Sequence, residues 1–140
     1  MPRLAFDSDV LIYAASAAAE GEQPYASVLK DALLSAPALT HCGSVLLLPE
    51  ILSKPLRLGL SAELDLLQTY LDRLNLVGID TDVALLATQL AAAYRLKAPD
   101  ALHLACAVHA GADAFVTNNR KDFKQTEILE LPVLFPEQFG

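Results

Sequence analysis

No apolar run in this chain reaches the roughly 18 residues that a membrane-spanning helix requires. Charged residues are also scarce, 19 % of the chain against 54 % hydrophobic, which argues against disorder. Only two cysteines occur, Cys42 and Cys106. Their spacing matches no metal or redox motif, and their apolar surroundings mark them as reduced core thiols. There is no internal repeat and no low-complexity segment beyond alanine-rich stretches. The opening "MPRLAFDSD" lacks the pattern of a signal peptide, so a cytosolic location is expected. No well-placed His–Ser or His–Cys pair is visible, and covalent catalysis is not expected. Ten basic residues stand against seventeen acids, a net charge of -7, which argues against broad, nonspecific nucleic-acid binding. It leaves room for a small site that handles phosphate through a metal, since ligating acids themselves make the total more negative.

What is present is enough for one domain over residues 1–140. A chain of this length buries about two thirds of its unfolded surface without staples. Arg3 to Phe6 reads as a strand and Val10 to about Ser16 as a helix, followed by a flexible break over "AAAEGEQ". Pro24 to Ser35 reads as a helix with Pro24 in its first turn. "ALTHC", 38–42, reads as a short strand, with Ser44 as an N-cap for the next helix. In "SVLLLPEILSKPLR" Pro49 either kinks a helix or marks its start, and Pro55 ends or bends it. Ser61 caps a helix whose leucines 64, 67, 71 and 74 share one face. "NLVGI" is a strand, and Thr81 or Asp82 caps "VALLATQLAAAYRL". Pro99 opens a further helix that stops at Gly111. "AFVT" and "PVLF" are the last strands. Strands separated by helices imply a mainly parallel α/β sheet with helices on both faces. Ligands in such folds sit outside the carboxyl ends of the strands.

Four groups of acids fall at informative places. Asp7 and Asp9 interrupt the apolar stretch "LAFDSDVLIY" where the first strand ends. Glu50 lies in the helical segment after the second strand. Asp100 opens the helix "PDALHLA", and "TNNRKDF" carries Asn119 and Asp122 just after a strand. Singly, each has an ordinary role: Asp9 a helix cap, Glu50 a solvent-facing helix acid, Asp100 a partner of the helix dipole, Asp122 a loop acid. Jointly, they converge at one edge of the sheet. Carboxylates so gathered repel and raise one another's pKa, and a divalent cation removes that cost. Oxygen ligands without Cys or His favour Mg²⁺ or Mn²⁺. A metal of that kind fits phosphodiester hydrolysis by water.

These residues also carry a resemblance. "FDSDVLIYA", the lone Glu50 in "LLLPEILSKPLR", "KAPDALHLACAVHAGADAFVTNN" and "RKDF" resemble the PIN domain, in particular toxins of the VapC type. The segment from Lys97 to Phe123 is the most specific part. The resemblance implies a three-layer α/β/α fold with a central, mainly parallel sheet of four or five strands. It implies an Mg²⁺- or Mn²⁺-dependent endoribonuclease, usually a homodimer, paired with an antitoxin protein that occludes the site. Asp7, Glu50 and Asp100 match the family's regular acids and are expected to hold the metal. At the fourth acidic position this chain has Asn119, and Asp122, three residues on, is the alternative carboxylate. Asp9 stands where relatives often carry Asn, and Thr117 matches a hydroxyl beside the site. Three acids with Asn119 suit one metal; a second would need Asp122, Asp9 or substrate phosphate.

Five of the ten basic residues, Arg95, Lys97, Arg120, Lys121 and Lys124, flank these acids. They are candidates for holding an RNA backbone, Arg120 and Lys121 foremost. Arg57 either orients Glu50 or contacts RNA. His103 lies one helical turn after Asp100 and reads as a packed or hydrogen-bonded helix residue, as do His41 and His109. Surplus apolar helix surface suggests a dimer face or antitoxin groove. Two other readings remain. "FDSDVL" with "FVTNN" is similar to the opening motifs of haloacid-dehalogenase-type phosphatases, with Asp7 as nucleophile and Asp9 as acid/base, but leaves Glu50 and Asp100 unexplained. Asn119 also allows a catalytically silent RNA- or partner-binding module.

Overall fold

Leu4, Ala5 and Phe6 are buried in succession, the pattern of a strand covered on both faces rather than half-exposed. They form β1 (Leu4–Phe6) in the computed structural model of the chain, in which residues 2–20 and 25–138 are described. The order of elements is β1, α1 (Ser8–Glu20), α2 (Ala26–Ser35), β2 (Cys42–Ser44), α3 (Leu47–Leu58), α4 (Ser61–Asp72), β3 (Asn75–Val77), α5 (Thr81–Tyr94), α6 (Ala98–His109), β4 (Ala114–Val116) and β5 (Val133–Leu134). The five strands lie in the order β3-β2-β1-β4-β5, and every pairing is parallel.

The pleat of β1 divides the interior in two. Leu4 and Phe6 join Val116 and the buried faces of α1, α2, α3 and α4. Ala5 points the other way and joins Phe115, Phe123 and the buried faces of α5 and α6. Side chains of successive strand residues alternate between faces, so one central strand serves both cores, and the result is a three-layer α/β/α arrangement. Among the described residues no helix is long and apolar enough to cross a membrane. Cys42 and Cys106 are free and buried.

Several local expectations shift. The second strand is not at 38–42 but begins at Cys42. Leu39 adopts a left-handed φ of 68°, which a strand excludes. Its amide donates to the Arg73 carbonyl at 2.9 Å and Thr40 closes a turn onto Pro37. A Cβ at Gly43 would meet the side chain of Leu47 of α3, so a larger residue in this short strand would force that buried leucine to move. Ser44 is the last residue of β2, and its Oγ accepts from the Leu46 amide at 3.0 Å. It thus shapes the entry to α3 from outside the helix. Pro49 lies in the first turn of α3, where its missing N–H costs nothing. Pro55 neither ends nor replaces the helix: it sits inside α3, buried, and the helix closes at Gly59 with φ 67°.

Asp80, not Thr81 or Asp82, caps α5, its Oδ1 accepting from the Val83 amide at 2.9 Å. Ser61 is the first residue of α4 and makes no cap bond. α1 begins earlier than expected and runs through 17–20, so the first four residues of "AAAEGEQ" are helix and not the expected break. Its remainder, with Pro24, lies outside the described residues.

His41 ties the edge of the sheet to α2. Its Nδ1 accepts from the Leu4 amide at 3.0 Å, which leaves Nε2 as the protonated nitrogen, and its second bond is with the Ala32 backbone. Burial holds its pKa below the ordinary 6.5, with the Ala32 bond opposing. The folded protein therefore resists taking up a proton that the unfolded chain accepts. Stability contributed here is full above pH 6.5 and falls as pH drops below it. Wild type should lose stability relative to His41→Gln between pH 7 and 5.5, and His41→Ala should cost about 1–3 kcal/mol at pH 7 by leaving the Leu4 amide unpaired. Denaturant melts across that range read both effects.

Candidate active site

β1 and β4 are neighbours, in a register that sets Phe6 beside Val116. The residues that follow them, Asp7 and Thr117, therefore leave the sheet side by side at its carboxyl edge. The Asp7 amide still pairs with the Val116 carbonyl at 2.9 Å. Its carboxylate is 4 % exposed, with Oδ2 accepting from Thr117 Oγ1 and Oδ1 from the Ser8 amide, each at 2.8 Å. Burial raises the Asp7 pKa; His103, Thr117 and Ser8 pull it back, and Glu50 pushes it further up. These two hydrogen bonds fix the plane of the carboxylate and leave one lone pair on each oxygen.

Asp9 lies in the first turn of α1. It spans the gap to the next loop, accepting from the Asn118 amide at 3.1 and 3.2 Å. Burial and then the Asp7 charge raise its pKa to about 6. Asp100, in the first turn of α6, is raised by burial, by Asp7, Asp122 and Glu50, and lowered by His103. It accepts no hydrogen bond from a described residue. The fold thus brings Asp7, Asp9, Glu50, Asp100 and Asp122 within reach of one another's fields, with a single imidazole as the nearby base.

Glu50 reaches this group from the first turn of α3. Its Oε1 pairs with Nε2 of His103, which is 3 % exposed, while Nδ1 of that ring is buried without a partner. His103 is the residue whose importance sequence reasoning understated. The signal was its place one turn after Asp100, on the face of α6 that packs inward. Among the described residues, no three His, Cys, Asp or Glu side chains lie close enough together to hold one ion as they stand. Like charges keep apart without a counter-ion, and Glu50 is engaged by His103.

The loop after β4 is closed by its own side chains. Asn119 Nδ2 donates to Asp122 Oδ2 at 3.0 Å, and the Asp122 amide returns a bond to Asn119 Oδ1 at 3.2 Å. The Asn119 amide donates to Thr117 Oγ1 at 3.0 Å, so one hydroxyl links the loop to Asp7. Phe123 anchors the far end, its ring 5.0 Å from that of Phe115. Asn119 and Asp122, the two alternatives for the fourth position, are partners of each other.

The basic residues separate. Arg120 forms a two-pronged pair with Glu137 and stacks over Phe135, 4.4 Å from the ring centre. Lys121 instead lines a cleft with Asp122. Arg57 is exposed in the last turn of α3 and makes no ion pair with Glu50. His109 is exposed at the end of α6.

Because the Asp9 pKa stands near 6 when folded and near 3.8 when unfolded, the folded state binds the extra proton between those values. Stability falls as pH rises through that window and stays reduced above it. Asp9→Asn keeps an acceptor for the Asn118 amide and removes the charge. In EDTA it should stabilise the protein at pH 7–8 by at most about 3 kcal/mol, and the gain should vanish below pH 4. Thermal melts of both proteins across this range check it.

Two solved structures resemble the chain over nearly its whole length. One is a toxin–antitoxin complex from Klebsiella pneumoniae, 26 % identical, TM-score 0.70, covering 95 % of this chain and 97 % of that one. The other is VapBC2 from Rickettsia felis bound to a DNA fragment from its promoter, 17 % identical, TM-score 0.71, covering 94 % and 97 %; that likeness is one of fold. No curated protein matches the sequence. The sequence profile of the PIN domain matches residues 4–129, from the first strand through the loop that carries Asn119 and Asp122, and the chain belongs to the PIN domain family.

Proposed function

We propose that the protein is a divalent-metal-dependent endoribonuclease, the VapC-type toxin of a toxin–antitoxin pair. The observation that carries this reading is the buried Asp7 carboxylate at the end of β1, oriented by Thr117 and Ser8. The charges that act on it are His103 and Glu50, and its own charge acts in turn on Asp100. Membership in the PIN family and the likeness to a toxin–antitoxin complex support it from outside the site.

The donor set fits a hard cation. Asp7 has a free lone pair on each oxygen, Asp100 has no donor, and all the acids are crowded by like charge. In this proposal Asp7, Asp100 and Glu50 hold Mg²⁺ or Mn²⁺, with Asp122 or Asn119 nearby. Bound there, such an ion polarises a phosphodiester and lowers the pKa of water. The protein's own part is orientation. Thr117 and the Ser8 amide keep Asp7 in one rotamer, and His103 holds Glu50 toward the site through Nε2. Asn119 holds Asp122, and Asp9 fastens α1 to the loop after β4. Lys121 is proposed to meet the RNA; Arg120, neutralised by Glu137, is proposed to brace the carboxyl-terminal segment instead. Exposed Leu48, Leu56, Leu58 and Leu60 on and after α3 provide apolar surface for an antitoxin or a second copy.

A second reading, a silent RNA- or partner-binding module, draws on the Glu50–His103 pair and the Asn119–Asp122 pair, which engage two of the five acids, Glu50 and Asp122. The phosphatase reading with Asp7 as nucleophile and Asp9 as acid/base assigns no role to Glu50 or Asp100, whose fields reach the same group.

Purified protein incubated with a mixed RNA pool should cleave it in Mg²⁺ or Mn²⁺ and stop in EDTA. Asp7→Asn and Asp100→Asn should each reduce cleavage by at least about 100-fold with native circular dichroism. Metal-independent cleavage, or full activity in a folded Asp100→Asn protein, would contradict the assignment; RNA binding without cleavage favours the silent module.

A further inference from the structure

A cleft beside the acids lies between the end of α5 and the loop that follows β4. It encloses about 640 Å³ and is lined by Tyr94, Arg95, Lys121, Asp122, Lys124 and Glu127, with Ala93 at its side. Three of those side chains are cations in a protein whose net charge is -7. None of the three forms an ion pair with a described residue, although Asp122 and Glu127 share the cleft. Asp122 is engaged by Asn119. Arg120, the neighbour that sequence alone would rank first, is neutralised by Glu137.

Two further features mark the cleft as built. Arg95 takes a left-handed φ of 56° at the close of α5, its amide donating to the Ala91 carbonyl. Glycine is the residue that meets this conformation without strain, and an arginine held there trades backbone comfort for a guanidinium at the cleft. Tyr94 is fixed from both sides: its hydroxyl donates to Glu130 Oε1 at 2.6 Å and accepts from the Leu129 amide at 3.3 Å. Its ring is thereby held at the cleft before any ligand arrives.

A fixed aromatic ring beside unpaired cations is the combination that binds single-stranded nucleic acid: the cations follow the phosphates and a base stacks on the ring. We infer that the Tyr94–Arg95–Lys121–Lys124 cleft binds a single-stranded RNA segment on the Asp122 side of the scissile phosphate. Arg95, Lys121 and Lys124 take the backbone there, and Tyr94 stacks one base. The inference rests on the ribonuclease reading for its ligand, and it adds the residues that hold the strand and a path away from the reacting bond.

The test measures binding apart from cleavage. Fluorescence anisotropy in EDTA compares a labelled single-stranded RNA with a blunt, fully paired RNA, over a salt series, for wild type, Arg95→Gly, Lys124→Ala and Tyr94→Leu. Wild type should bind the single strand at least tenfold more tightly. Arg95→Gly and Lys124→Ala should each weaken it about tenfold at low salt and reduce the salt slope by about 0.7, one phosphate contact each. Tyr94→Leu should weaken binding with the slope unchanged. Arg95→Gly serves as its own folding control, since glycine relieves the left-handed residue and its melting temperature should hold or rise. Equal binding of the two RNAs, or unchanged affinity and slope in the folded Arg95→Gly and Lys124→Ala proteins, would overturn the inference. If wild type still cleaves in Mg²⁺ while these variants bind normally, the cleft is wrong and the nuclease reading stands. If the cleft binds single strands as described and wild type never cleaves, the cleft stands and the nuclease reading falls.

Discussion

A carboxylate that is 4 % exposed must either take a proton or find compensation, and Asp7 finds only part of it within the chain. The Thr117 hydroxyl and the Ser8 amide satisfy one lone pair on each oxygen, while burial and Glu50 push its pKa upward. The arrangement follows from the parallel pairing of β1 with β4, which delivers Asp7 and Thr117 to the same edge. Asp100 and Asp9 carry the same strain of uncompensated charge. Such crowding costs stability in the absence of a cation.

The remainder of the molecule supports that edge. α6 brings Asp100 and His103 on consecutive turns, and α3 brings Glu50 to meet His103, so two helices from opposite layers touch through a pair in which His103 is buried and Glu50 stays partly exposed. The loop after β4 is closed by Asn119 and Asp122 and anchored by Phe123 in the core. Its closure sets the wall of the cleft that Lys121 and Lys124 share with Arg95. The cleft wall and the placement of Asp122 therefore depend on the same loop.

Much of this was readable from the residues. The unbroken apolar run at 4–6 identified a strand buried on both faces, and the acids directly after it lay at a carboxyl edge by the logic of parallel sheets. The alternation of strands with helices implied the layers, and the segment from Lys97 to Phe123 carried the family. What was hidden depended on partners far away in sequence. The second strand slipped toward Ser44 because Leu39 is held in a turn by Arg73, 34 positions on. Pro55 sits inside α3 because its ring is buried against the core, which local propensity does not register. The pairing of Arg120 with Glu137 and Phe135, and the bond between His103 and a still partly exposed Glu50, likewise involve partners that the local sequence does not display. Charge counts along a sequence do not reveal which charges are already spent, and here that decides which cations remain for a ligand.

The central claim is that Asp7, Asp100 and Glu50 converge on one divalent ion. Crystals grown without metal and soaked in Mn²⁺, with anomalous diffraction recorded at the manganese edge, test it most directly. The account predicts a single strong peak at the carboxyl edge of β1, in contact with Asp7 and Asp100, and Glu50 drawn toward it. No peak at that edge, or a peak bound elsewhere with the three acids still apart, would contradict it.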